Sequence, residues 1–221
     1  MASPLGLIPL SLQASGWKAY ARATTTAARL PEMLDLDADG REECLELRNG
    51  ILTIRRCDDT SEGSLWQSPS DWQVKEWTVS DLNHDGRNEL ALLVWRQFSP
   101  WPVDTILTEG GGRINSFHDA AGNSCHVILI GWRNGRFGEL WAGSALFEPV
   151  ISLAAADIDG DGAQELITVE GKYQDSPLWR SGPLAIWKWN GFGFDLSTRI
   201  GGAFRHVKLP ANHPGWMILS Q

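Results

Sequence analysis

Asp35–Glu43 reads DLDADGREE, Asp81–Glu89 reads DLNHDGRNE and Asp157–Glu165 reads DIDGDGAQE. All three satisfy one template: Asp, then Asp or Asn, then Asp at alternate places, Gly in the sixth place and Glu in the ninth. The second place is apolar each time, as Leu36, Leu82 and Ile158. Self-similarity of this kind governs the reading of a fold, because it marks architectures built from copies of one supersecondary unit.

Outward from the loops the similarity continues. Trp66 stands 15 residues before Asp81, Trp141 stands 16 before Asp157, and Tyr20 stands 15 before Asp35. Their recurrence at one place in the repeat predicts packing between units rather than ligand contact. A β-type run follows each loop (CLELR, ELALLVW or ELITVEG), with apolar residues at period 2. Another precedes it, such as WQVKEWTVS at Trp72–Ser80 or VISLAAA at Val150–Ala156, so each loop joins two strands. ILTIRR, HVILIGW and LAIWKW supply third strands, and SLWQ, GELWA and FDLST supply fourth ones. The pairs Asn49-Gly50, Asn134-Gly135 and Asn190-Gly191 suit tight hairpins, because both residues tolerate positive φ. Four antiparallel strands per unit make the blade of an all-β propeller.

The chain ends complete the count. Runs near Leu5–Leu12 and Trp17–Arg22 read as the third and fourth strands of a blade, and runs near Phe204–Leu209 and Gly215–Leu219 as the first and second. The expectation is a single domain over residues 1–221 with four blades, one of them a composite of both termini. That gives about 55 residues per blade, slightly above the ~40 to 50 usual for propeller repeats. An open fragment of a larger propeller is the alternative. In the composite blade, Asn212-His213-Pro214-Gly215 stands where a loop would fall, so no ion is expected there.

Alternate residues of a tight loop can aim three side-chain oxygens at one point while Gly permits the sharp turn, which is the arrangement of a hard-cation site. The expected ligands are Asp35, Asp37, Asp39 and Glu43 with the Arg41 carbonyl; Asp81, Asn83, Asp85 and Glu89 with the Arg87 carbonyl; and Asp157, Asp159, Asp161 and Glu165 with the Ala163 carbonyl. Oxygen-only donors favour Ca²⁺ over zinc or copper, giving up to three Ca²⁺. An EF-hand needs a bidentate Glu in the twelfth place and flanking helices. The twelfth residues are Glu46, Leu92 and Thr168, and the flanks alternate as strands. Acidic Asp/Gly turns of purely structural origin are the other competing reading.

With these residues in view, the three loops and their strand context resemble FG-GAP or VCBS-type repeats, as in the integrin α-subunit propeller. Clear FG-GAP strings are missing at the blade starts. The resemblance implies a calcium-binding propeller outside the cytosol (extracellular, cell-surface or periplasmic) that serves cell adhesion, assembly or ligand binding. Its partner would be another protein or a second copy of itself.

Composition agrees with an ordinary globular chain, with 43% hydrophobic and 21% charged residues and no apolar stretch of the ~18 to 20 residues needed to span a bilayer. With 27 acids against 19 bases, a net charge of -8 and no Lys/Arg clustering, nucleic acid is not an expected partner. The three expected ligand sets hold four, three and four carboxylates, or 11 of the 27 acids, so the remainder is slightly basic at 16 against 19. Cys44, Cys57 and Cys125 form no CxxC pattern, and their odd number prevents complete internal pairing. At the N-terminus, no positive charge precedes the apolar run and Pro9 interrupts it. A strand is expected there, with no sorting signal evident.

Unequal loop spacing, 46 residues from Asp35 to Asp81 but 76 from Asp81 to Asp157, marks an insertion at about 96–124, and a smaller one falls at 171–182. Both carry aromatics near Pro: Phe98 and Trp101, Tyr173 and Trp179. Long loops on a rigid scaffold often carry function, so these four residues are candidate ligand contacts. The functional alternative is therefore a carbohydrate-binding lectin or glycan-active module using these aromatics; the bland one is that the loops fold over their own blade. No GxSxG, P-loop or HExxH is present. The pairs around His118-Asp119 and Ser124-Cys125-His126 make no triad, because adjacent strand residues point to opposite faces. A non-catalytic protein is expected.

Overall fold

The computed structural model describes residues 5–9, 20–21, 33–58, 63–99, 117–175, 180–208 and 216–220. Among them there is no helix, and sixteen strands form four-stranded antiparallel sheets. One sheet takes β3 (Met33–Leu34), β4 (Glu43–Arg48), β5 (Ile51–Arg56) and β6 (Trp66–Gln67) in chain order. A second takes β7 (Gln73–Ser80), β8 (Glu89–Gln97), β9 (Asn123–Arg133) and β10 (Arg136–Ala142). A third takes β11 (Val150–Ala156), β12 (Glu165–Glu170), β13 (Gly182–Trp189) and β14 (Phe194–Phe204). Each Asp-rich loop joins the first and second strands of its sheet.

The fourth sheet draws on both chain ends. Its order is β15 (His206–Lys208), β16 (Trp216–Ser220), β1 (Leu5–Pro9), β2 (Tyr20–Ala21), with Leu5 opposite Ser220 and Pro9 opposite Trp216. Terminal strands thus combine as the sequence suggests, although Phe204 closes β14 instead of opening β15. Positions 212–215, where this sheet's own loop was sought, lie outside the described residues.

The chain divides into two compact units: Arg29–Trp77 with Glu89–Pro149, and Met1–Ala28 with Thr78–Asn88 and Val150–Gln221. In the first unit, the Asn49-Gly50 turn sets the register of β4 on β5, with Arg48 opposite Ile51 and Glu43 opposite Arg56. Both turn residues have positive φ. Gly50 also accepts the Val74 N–H on its carbonyl at 2.8 Å, and its φ of 83° is one that strains any residue with a Cβ. Arg96 stacks 5.8 Å above Trp72. A Cys44–Cys57 disulfide, which the odd cysteine count had concealed, ties the far end of the β4–β5 hairpin, while Cys125 is free and buried.

In the second unit, Ala154, Ile158, Ile167, Val169, Leu184, Ile186, Phe204 and Val207 form one apolar cluster. Ser152 fixes β15 to it: its hydroxyl accepts the Val207 N–H at 3.2 Å and reaches the Val207 carbonyl at 3.4 Å.

Burial corrects the expected period. β8 is buried from Glu89 through Trp95, and β12 throughout, because these second strands are covered on both faces. Alternation survives in β5, where every second residue is buried. The ends of the 96–124 segment are strand and not insertion, since Arg96 pairs with Ser124 and Gln97 with Asn123.

Candidate metal centres

The three loops share one backbone course. Their fourth residues, Ala38, His84 and Gly160, have φ of 60°, 61° and 79°, and the sixth-place glycines 40, 86 and 162 have φ of 86°, 86° and 89°. Two left-handed residues so close fold the chain on itself, and glycine takes the second of them without a Cβ penalty. The carboxylates hold this shape by accepting backbone N–H groups. The sixth N–H donates to the first-place Asp at 3.0, 2.9 and 3.0 Å. The seventh donates to the fifth-place Asp at 2.8, 3.0 and 2.8 Å. In loops one and three the second N–H donates to the ninth-place Glu, Leu36 to Glu43 at 2.8 Å and Ile158 to Glu165 at 2.7 Å. The second-place side chains Leu36, Leu82 and Ile158 are buried, and Ile158 packs in the apolar cluster of the second unit.

This folding gathers the acids. Carboxylate oxygens of Asp35, Asp37 and Asp39 lie within 4.8 Å of one another, as do those of Asp81, Asp85 and Glu89, and those of Asp157, Asp159 and Glu165. Asn83 turns its side-chain oxygen to the Asp85 N–H at 2.9 Å. Arg41, Arg87 and Ala163, whose carbonyls were expected to contribute, occupy the seventh place, where their N–H groups bond the fifth-place Asp.

Two cations that the loop template does not contain enter two of these clusters. The Arg56 guanidinium donates to Asp37 Oδ2 at 3.0 Å, to Asp39 at 2.6 and 3.1 Å, and to Glu43. Its side chain is 9% exposed, against 2% for Asp37 and 0% for Glu43. Burial opposes the charge on Arg56, but the Asp37 and Glu43 carboxylates outweigh it and hold the guanidinium above its ordinary pKa. Burial pushes the Glu43 carboxyl up. Asp39, at the mouth, is held below its ordinary value first by the Arg41 N–H and then by Arg56. In loop three, Lys188 Nζ meets Asp159 at 2.5 Å, Asp161 at 3.0 Å and Glu165 at 3.4 Å, and these donated bonds raise its pKa. Asp161 is lowered by the Ala163 N–H and then by Lys188.

All-oxygen donors suit a hard cation in loops two and three. Loop one does not fit such an ion as it stands, because the space between Asp37, Asp39 and Glu43 is filled by Arg56. The signal was present in the sequence: a tight turn at Asn49-Gly50 fixes Glu43 opposite Arg56. The same register puts Cys44 and Cys57 diagonally on the other face of the hairpin, within disulfide reach at 5.0 Å between Cα atoms.

Within the second unit, an open cleft is lined by Asp81, His84 and Gly86 of loop two and by Asp161, Gly162, Ala163 and Gln164 of loop three. Ser80 hydrogen-bonds Gln164 across it, and His84 Nε2 lies 3.5 Å from the Gln164 carbonyl.

Of the four aromatic candidates, Trp101 and Trp179 lie outside the described residues. Phe98 is half-buried with its ring 5.4 Å from that of His118, and Tyr173 is buried at 6% exposure. Asp119 works as a turn, accepting the N–H groups of Ala121 and Asn123 at 2.9 Å. Ser124 and His126, two apart on one face of β9, do meet: His126 Nδ1–H donates to the Gly143 carbonyl at 3.0 Å, which leaves Nε2 to accept the Ser124 hydroxyl at 2.7 Å. Burial lowers the His126 pKa to about 4. With Ser124 at 0% and His126 at 5% exposure, the pair is buried, and its bonds tie β9 to the Gly143 carbonyl. In comparisons with known proteins, no family model and no curated protein matches the chain.

Proposed function

We propose that the chain is a non-catalytic, calcium-binding β-propeller of the FG-GAP/VCBS kind, with the four sheets as blades, that presents a surface for adhesion, assembly or ligand binding outside the cytoplasm. The observation that carries this reading is the common loop: three copies with left-handed residues at the fourth and sixth places and the same N–H bonds to alternate acids. Supporting it are the sheet order, each loop joining first and second strands, and the antiparallel pairing of β1 with β16. The Cys44–Cys57 disulfide supports an oxidising compartment, and no helix among the described residues is long and apolar enough to cross a membrane.

In this reading the carboxylates of loops two and three, together with Asn83 and the carbonyls of Arg87 and Ala163, hold Ca²⁺. The ion supplies positive charge that lets clustered acids face one another. The chain's own part is to pre-fold each loop through N–H bonds, so that little ordering remains when an ion arrives. Thermal melting with and without chelator tests the proposal. The expected result is a midpoint that rises with Ca²⁺ in the millimolar range or below and falls on chelation. An unchanged midpoint at every Ca²⁺ concentration sinks it.

A further inference from the structure

One structural position separates the three loops: the residue facing the ninth-place Glu across the sheet. Glu43 of β4 is paired with Arg56 of β5. Leu166 pairs with Trp187, so the next step of the ladder sets Lys188 against Glu165, whose carboxylate its Nζ approaches to 3.4 Å. Leu90 pairs with Ile130, and the next step sets Gly131 beside Glu89, where a Cβ on Gly131 would stand 3.3 Å from Glu89 Cγ. The facing residues are Arg, Gly and Lys.

Resting on the reading of these loops as Ca²⁺ sites, we infer that this facing residue decides which loops take a metal ion: Arg56 is the permanent cation of loop one, which binds none, whereas loops two and three each take one. The geometry of loop one carries the inference. The planar guanidinium fork satisfies three acids at once, Asp37, Asp39 and Glu43, which a spherical ion in the same space would have to take over. An ion cannot share that space with Arg56, because two positive charges a few ångströms apart in a buried site repel strongly. Nor can Arg56 easily leave. It is 9% exposed, and the disulfide joins the residues that follow Glu43 and Arg56, Cys44 and Cys57, so the two strands that face its partner acids are covalently held. Cys57 N–H also donates to the Glu42 carbonyl at 3.0 Å.

Loop three has the opposite character. Lys188 is 40% exposed on a flexible stem, and Asp159 and Asp161 are 41% and 49% exposed. Its ammonium can turn to water when an ion enters: its pairs with Asp159 and Asp161 are exposed ones of small worth, and the ion takes over the buried Glu165 carboxylate. In loop two, Gly131 brings no charge, and Leu140 Cδ1 sits 2.6 Å from where its Cβ would be, so a side chain there would have to displace Leu140.

Counting bound Ca²⁺ by equilibrium dialysis and calorimetric titration of the full, disulfide-intact chain tests this. The unsubstituted protein is expected to bind two ions, Arg56→Met three, and Lys188→Met two, one of them about fivefold more tightly. Arg56→Gln, which keeps hydrogen-bond donors without charge, is expected to gain the third site if Arg56→Met fails to fold. The unsubstituted chain decides by itself in any case. Three ions there, with none added by substitution at Arg56, overturn this inference and leave the calcium reading intact. No ion in any form overturns both.

Discussion

Loops one and three have the same backbone turns and equivalent acids, yet they manage their negative charge in different ways. In loop one the third-place and ninth-place acids, Asp37 and Glu43, are sealed at 2% and 0% exposure, Asp39 stays at the mouth, and a rigid, nearly buried fork from the neighbouring strand balances all three. In loop three the acids at the mouth stay open to water and a flexible ammonium leans over them. The difference teaches that a sequence template fixes the course of a loop but not its charge balance. That balance is set by whatever the sheet register delivers from the next strand, and its strength depends on burial more than on the number of contacts.

The strongest way to break this comparison is to remove each cation in chelator and measure urea unfolding. Arg56→Met leaves the two buried acids Asp37 and Glu43 without a counter-charge and is expected to lose about 3 to 5 kcal/mol. A loss below about 1 kcal/mol would place loop one in the same exposed regime as loop three. A pH series then separates the loops from the rest of the first unit. His126 has an ordinary pKa near 6.5 unfolded and about 4 folded, so the unfolded chain binds more protons between these values. Stability is complete above about 6.5 and declines as pH falls toward 4, by about 2 kcal/mol between pH 7 and pH 5. His126→Gln should flatten that slope; an equally steep profile in the variant assigns it to other groups. The smallest effect is Lys188→Met, expected to lose less than either of the other variants and to show a loss that shrinks in 1 M salt.

Much of this architecture is legible in single positions. The Asp/Gly spacing marks the loops because only local geometry is involved, and the Asn-Gly pairs at 49–50 and 134–135 mark hairpins for the same reason. Even the pairing of β1 with β16 follows from counting which strands were missing. The period-2 expectation fails at β8 and β12, because burial on both faces removes the need for polar residues on either. Arg56 and Lys188 escape the loop template because each is brought in across the sheet: Arg56 through a tight hairpin, Lys188 after a longer connection. Ser124 and His126 were read as neighbours of Cys125 on opposing faces, whereas residues two apart share a face and these two hydrogen-bond.

The pairing of Leu5–Pro9 with Trp216–Ser220 also imposes an order of events on a chain made from its N-terminus. β1 leaves the ribosome long before its partner β16, because all the other strands lie between them in sequence. Until β16 emerges this strand has an unclaimed edge, of the kind that recruits strands from other chains. The sheet that joins β1 to β16 therefore forms late relative to the strands between them. Nascent chains stalled before residue 216 should bind holding chaperones that the released protein no longer needs.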